Sequence, residues 1–451
     1  MWRSPIYVTT WAPPWPRPNG PSNGYKLVLA ALLLAGGSLG HRFGLRRSLC
    51  AGLVLFTLAS AACSLAPSPA VLIAARAVQG LGASALLRAT LALIPHVFPD
   101  KARREKAAVV WVATSAIAVA AGPLVGGARV DSFGWRSIFL INALACTLSW
   151  IMVMLCLKPN EQGTARVGLP GQLLGMSALG LITGALIAGG ALGWSAPLTL
   201  GLFAAGVAAG LLFTVVERRV HSPLLPLSFF SYRMRTSALL SLGFTGFLSY
   251  GALFVMSLYF QQARGWTPGA TGRALLPMTV GTVLAPFFLY RPLSKRFGHP
   301  VMMVTGFTTM LLGALTLYGT DASTPHSRIA IGIFLIDCGS TFTPSAAASI
   351  VVSSTPPEQS GLASGVQNTL RQSGGLISVA VFGSILNTSD FTGRMGAALS
   401  VTTAAALLGI STGIAAVRGE RASRQGIPGA GGNSLTTASA TTNTTSPQRR
   451  S

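Results

Sequence analysis

An all-α, polytopic membrane protein built from two related halves is the fold class that this 451-residue sequence predicts. Three observations predict it. Apolar runs of about 20 residues recur along almost the whole chain, the length a helix needs to cross a bilayer. Charged residues make up only 10% of the chain, against about 25% in ordinary soluble domains. One basic turn also occurs twice: GGSLGHRFGLRRSLCAG at 36–52 is echoed by LSKRFGHPVMMVTG at 293–306. Leu39, Arg42, Phe43, Gly44 and Gly52 recur without a gap as Leu293, Arg296, Phe297, Gly298 and Gly306. The runs are too long and too rich in Leu, Ala and Gly for strands, and 52 glycines suit helices that approach closely in lipid.

Residues 1–24 are rich in Pro and Trp and lack both the apolar core and the cleavage site of a signal peptide. From Tyr25 onward about thirteen spans follow. They fall at roughly 25–41, 48–66, 70–94, 107–128, 137–157, 169–190, 196–216, 237–260, 272–290, 300–319, 328–352, 371–387 and 395–417. From Arg418 to Ser451 the chain is polar and rich in Ser, Thr and Gly, the composition of a disordered tail.

The net charge is +23, from 33 basic and 10 acidic residues. In a soluble protein that excess would point to nucleic acid. Here the basic residues sit in alternate short loops, so they report membrane orientation instead. One set carries Arg42, Arg46 and Arg47; Lys101, Arg103, Arg104 and Lys106; Lys158 and Arg166; Arg218, Arg219, Arg233 and Arg235; Arg291, Lys295 and Arg296; and then the tail. The other set is poor in charge, with Arg129, Arg136, Arg264, Arg328 and Arg394 as its basic residues. The basic set is placed in the cytoplasm, which makes the chain a multi-pass protein of the cell inner membrane. It also puts Tyr25 outside the cell, a parity that one further helix before it would repair.

Soluble chemistry is excluded on several counts. Cys50, Cys63, Cys146, Cys156 and Cys338 lie singly along apolar segments, as small apolar residues rather than a disulfide framework or zinc site. The five histidines lie far apart in or beside loops, without HExxH spacing, and no GxxxxGK[ST] stretch cradles a nucleotide. No enzyme, cofactor or metal is expected.

These residues resemble the Major Facilitator Superfamily, and within it the drug/proton antiporters with fourteen spans, close to methylenomycin-type exporters. The resemblance covers about Tyr25 to Arg418. GSLGHRFGLRR (Gly37 to Arg47) matches the superfamily's signature loop, with Gly40, His41, Arg42, Gly44, Arg46 and Arg47 at the motif positions. Arg76, Gln79 and Gly80 in ARAVQGLGAS match the fourth-helix motif, and Gly122, Pro123, Gly126 and Gly127 in AGPLVGG match the antiporter motif of the fifth. WRSIFLIN at 135–142, LYFQQARGWTP at 258–268 and SGLASGVQNTLRQSGG at 360–375 extend the likeness in order.

The resemblance implies two six-helix bundles with two extra helices between them, and that the family's first helix, which carries an acid, is missing here. The domains are then a non-membrane segment at 1–24, an N-terminal bundle at 25–158, two linker helices and a cytoplasmic loop at 159–235, a C-terminal bundle at 236–417, and the tail at 418–451. Where the family has an acid that can pair with Arg across the cytoplasmic gate, this chain has His41. A protonated His41 would repel Arg42, so a weaker gate is expected, and weaker still as the pH falls.

Each motif carries two readings. Gly122, Pro123, Gly126 and Gly127 form either a bent, tightly packed helix that seals the path to the cytoplasm and favours exchange, or ordinary kinked-helix packing. Arg76, charged in lipid, either faces an aqueous cavity, where it tunes an acid or binds a polar substrate group, or snorkels to the surface. Gln79, one turn on, shares its face. Asp337 is the one acid within an expected span. It is either a group that loads and releases a proton or a substitution tolerated beside water. Arg88 and Arg273 interrupt apolar runs, and Arg371 is expected at a helix end.

The function expected is proton-coupled antiport by a monomer, exporting a small organic compound by alternating access between the bundles. Its partners are the substrate, protons and the lipid bilayer. Proton-coupled nutrient uptake, and a truncated or regulatory remnant that transports nothing, are the alternatives.

Overall fold

The computed structural model describes residues 45–98, 100–157, 169–220, 227–230, 232–355, 359–386 and 391–424. The expected N-terminal segment, the span at 25–41 and the residues Gly40, His41, Arg42 and Gly44 lie outside them. Among the described residues every regular element is a helix.

The first half holds α1 (Leu45–Leu65), α2 (Pro69–Val97), α3 (Lys101–Phe133) and α4 (Arg136–Cys156). A central hairpin follows, α5 (Leu169–Leu192) and α6 (Pro197–Arg219). The second half holds α7 (Arg233–Leu258), running into a wide turn at Tyr259–Ala263. Then come α8 (Pro268–Ala274), α9 (Leu276–Ala285), α10 (Arg291–Phe297), α11 (His299–Thr316), α12 (His326–Ser353), α13 (Ser360–Leu386) and α14 (Phe391–Arg424).

Local chemistry sets several boundaries. Asp100 caps α3 by accepting from the Arg103 amide at 3.0 Å, and Gly134, at φ +74°, ends it. Pro197 opens α6, whose last turn carries Arg218 and Arg219 where cations suit the helix dipole. In the second copy of the basic turn, Gly298 separates α10 from α11 at φ +81°, a backbone that a side chain would strain. That is a physical reason for the glycine of the repeated turn.

Among the described residues nine helices are long and apolar enough to cross a membrane, and ten if the bent α8–α10 segment counts as one. The span expected at 272–290 is thus not one straight helix but a bent segment, running through the end of α8, α9 and the turn before α10. Pro277 and Pro286 each remove a backbone donor there, and the stretch Pro286–Tyr290 relaxes into a π-turn. Three further boundaries move. α13 starts at Ser360, so Arg371 lies well inside a helix and not at its end. α14 runs to Arg424, past Arg418 where the tail was expected to begin. Arg235, expected in a loop, is buried in the first turn of α7.

α1 packs on α2 and α4; α11 packs on α12 and α14; and α7 packs on α12, α13 and α14. The α5–α6 hairpin meets the second half through α5 and α13. The largest core lies there, around Tyr259, Phe260, Phe307, Met310, Ile336 and Phe382. α4 and α6 instead turn Leu144, Leu148, Leu155, Phe203 and Leu211 outward, an apolar exterior that suits lipid rather than water. Arg235 ties the start of α7 to the end of α12. Its Nε donates to the Phe229 carbonyl at 2.7 Å and its Nη1 to the Ser354 carbonyl at 2.9 Å.

Candidate functional site

The fourth-helix motif forms a hydrogen-bonded chain. Arg76 Nη1 donates to Gln79 Oε1 at 2.6 Å, Gln79 Nε2 donates to Ser60 Oγ at 2.7 Å, and Ser60 Oγ donates to the Phe56 carbonyl at 2.7 Å. Helical spacing puts Arg76 and Gln79 on one face of α2, and the crossing of α1 supplies the serine. Gln79 is 0% exposed, Gly80 beside it is buried, and the Arg76 guanidinium lies 5.6 Å from the Phe139 ring of α4. The structure thus joins Arg76 and Gln79, and adds Ser60, which carried no signal in the sequence.

Of the basic loop, Arg46 and Arg47 are described. Arg46 reaches back to α4, with Nη2 donating to the Met154 carbonyl at 3.2 Å, while Arg47 is exposed.

The antiporter motif sits in an unbroken α3, with Pro123 inside the helix. α3 packs across the molecule against α8 and α9. At Gly127 a side-chain carbon would stand 2.5 Å from the Pro268 carbonyl and 3.1 Å from Gly269 Cα; at Gly272 it would strike the Pro123 carbonyl. Gly122 and Gly126 face open space, so only half of the motif makes this close contact. α3 starts at the basic loop and ends at the charge-poor one. The contact therefore lies towards the charge-poor end of α3.

One acid missed by sequence stands at this seam. Asp131 was expected beyond the end of its span, but α3 runs on to Phe133 and carries it to α8. Its Oδ2 accepts from Thr267 Oγ1 and from the Gly269 amide, both at 2.9 Å. Asp131 is exposed, whereas Glu217, at the end of α6, is a buried acid within a helix. Its signal in the sequence was only its position at the edge of an apolar run.

Asp337 is 5% exposed, midway along α12. The Thr282 hydroxyl of α9 donates to its Oδ2 and the Ser340 hydroxyl to its Oδ1 at 3.2 Å. Among the described residues no Lys or Arg makes an ion pair with it, although the Arg371 charge acts on it from α13. The Asp337 and Arg76 sites thus belong to different halves. Arg273 is exposed on α8.

The charge-poor end of the second half is tied down by polar contacts. Arg264 Nε donates to Tyr259 Oη at 2.8 Å, Tyr259 Oη donates to the Asp321 carbonyl at 2.5 Å, and Arg264 also donates to the Thr324 carbonyl. In that loop, hydrogen bonds from Ser323 and Thr324 hold the Asp321 carboxyl below the usual carboxylate range.

Apolar helices in two halves, meeting along a glycine-lined seam and holding buried polar groups in each, define a polytopic membrane protein. The sequence pattern of the Major Facilitator Superfamily matches residues 23–173 and 163–379, and the chain belongs to that superfamily, whose members are multi-pass transporters of the cell membrane. Similar proteins are drug-resistance transporters. The methylenomycin A resistance protein of Streptomyces coelicolor is 35% identical over 84% of this chain and 79% of its own length. The multidrug resistance protein Stp of Mycobacterium tuberculosis is 32% identical over 80% and 67%. The tetracenomycin C resistance and export protein of Streptomyces glaucescens is 31% identical over 81% and 68%. Among solved structures, the peptide transporter PepTSo aligns with a TM-score of 0.63 over 90% of both chains at 13% identity, which bears on the fold alone.

Proposed function

We propose that the protein exports a small organic compound in exchange for protons, by alternating access between its two halves. The observation that carries this reading is Asp337: a carboxyl buried in the second half and held by two hydroxyls, with no Lys or Arg ion-paired to it among the described residues. Such a group can take up and release a proton without breaking a salt bridge, and an ionisable residue inside the membrane is by default a functional one. The resistance proteins among its relatives favour efflux over uptake. In this reading Arg76, oriented by Gln79, contacts a polar group of the substrate from the first half. The α5–α6 hairpin is the pair of extra helices between the bundles.

The test uses everted membrane vesicles containing the full chain, a pH-sensitive dye, and methylenomycin A, puromycin and tetracenomycin C as trial substrates. Substrate-dependent release of protons from wild-type vesicles, abolished by Asp337→Asn and retained by Asp337→Glu, is expected. Full exchange by Asp337→Asn would remove Asp337 from the coupling step. Gradient-driven uptake of the same compounds into right-side-out vesicles would reverse the direction proposed.

A further inference from the structure

The α3–α8 seam holds more than close glycine packing. The end of α3 presents one carboxylate, Asp131, to two donors of the opposite half, the Thr267 hydroxyl and the Gly269 amide, both on the same oxygen. Thr267 is itself engaged, since its Oγ1 accepts from the Ala270 amide at 3.2 Å as the cap of α8. Immediately beneath, Gly127 lies against Pro268, and Gly272 lies against Pro123. The contacts interlock from both sides within two turns of helix, and they occupy the charge-poor end of the seam. The packing of α3 falls on α8 and α9 and leaves α10, at the basic end, out of the main contact.

We propose that Asp131 is a positioning residue that latches the two halves closed at the charge-poor face. That face opens only when Thr267 and Gly269 release the carboxylate. The glycine contacts are short-range and non-directional, so they fix how close the helices come without fixing their register. The carboxylate supplies the register, because one oxygen must lie between a hydroxyl on the Thr267 side chain and an amide two residues on. Hydrogen bonds to a charged acceptor are roughly twice as strong as neutral ones. Asp131 is exposed, so water replaces most of what the two bonds contribute, and losing both shifts the open-to-closed ratio of this face by about tenfold. The proposal rests on the alternating-access reading above, but the measurement that tests it needs neither substrate nor a proton gradient.

The experiment is pulsed electron-electron spin-resonance distance measurement on the full chain in lipid nanodiscs, with the native cysteines replaced. One labelled pair, Phe133→Cys with Gln262→Cys, spans the charge-poor face; another, Lys106→Cys with Lys295→Cys, spans the basic face. All four positions are exposed. In the parent the first pair should give a short, narrow distribution. Asp131→Ala should raise a longer population about tenfold, while the basic-face pair shortens in step. Asp131→Asn, which keeps an acceptor oxygen without the charge, should fall between them. Thr267→Val, which removes one donor from the other half, should resemble Asp131→Asn. General loosening of the fold would instead broaden both pairs without the reciprocal shift, and that result overturns the latch, as do unchanged distributions in all variants. If Asp131→Ala does not reconstitute, Asp131→Asn and Thr267→Val decide by the same criterion. Absence of transport by the parent would sink the exporter reading and leave the distance result standing.

Discussion

Replacing Gln79 by Leu tests whether the Arg76–Gln79–Ser60 chain is a structural pin. Leu is close to Gln in size and apolar, so the substitution fills the site while removing both polar ends. The Arg76 guanidinium loses an acceptor at 2.6 Å. A hydrogen bond to a charged group contributes about 1.5–3 kcal/mol. At the other end Ser60 loses a donor but keeps its own bond to the Phe56 carbonyl, so little is added. Gln79 is fully buried, so the stronger part of that range applies, and the cost of local opening between α1 and α2 should fall by about 2–3 kcal/mol, which raises the open population roughly thirty- to hundredfold at 1.4 kcal/mol per decade.

Cys63 reports on that opening. It lies on α1 near Ser60 and is 0% exposed. With Cys63 as the single cysteine, alkylation by N-ethylmaleimide tracks the open population whenever reclosing outpaces the reagent. Gln79→Leu should react about thirty- to hundredfold faster than the parent, and Gln79→Glu, which keeps an acceptor for Arg76, should stay near it. An alkylation rate within about twofold of the parent would refute the reasoning, because it would mean that the buried amide contributes under ~0.5 kcal/mol.

Two further outcomes follow from the geometry. Gly127→Val forces a branched side chain against the Pro268 carbonyl and should destabilise the folded protein by about 1–3 kcal/mol, read as an earlier unfolding midpoint in sodium dodecyl sulfate. Gly122→Ala and Gly126→Ala, which face open space, should leave the midpoint in place. In the loop after α11, the Asp321 carboxyl is held below its usual range, so its contribution is present above the ordinary carboxylate value and is lost as pH falls through the lower folded value. Pepsin should therefore spare the Leu317–His326 segment of the parent until the pH drops well below about 4, and should cut Asp321→Ala throughout the acid range. Equal cleavage of the two at pH 4 would refute it.

What the sequence made legible follows a physical divide. Hydropathy is additive along the chain, so most of the spans could be read directly. Arg76 and Gln79 could be paired because helical spacing alone puts them together. Ser60 could not, since its meeting with Gln79 depends on how α1 crosses α2. Asp131 was hidden by a boundary: a window that ends a span when apolarity fades stops at 128, whereas the helix continues until Gly134 breaks it. Arg371 was misplaced for the converse reason. The polar start of α13 reads as loop by composition but is helical because it packs against α7, with Gly246 of α7 directly against the Arg371 backbone.

That pattern has a functional consequence for where to look in a chain of this kind. Burial of apolar side chains does not distinguish a helix facing lipid from one facing another helix, since both environments are apolar. Polar groups do distinguish them, because each must find a partner within the protein. Three of the partnerships found here join neighbouring helices at candidate functional residues: Gln79 between α1 and α2, Asp337 between α12 and α9, and Asp131 between α3 and α8. The first two lie within one half each and can keep their bonds while the halves rock as rigid bodies. Of these three, the third joins the halves, so its bonds must break when that face opens. A substitution at Asp131 should therefore change the balance between conformations, whereas one at Gln79 should change the stability of a half.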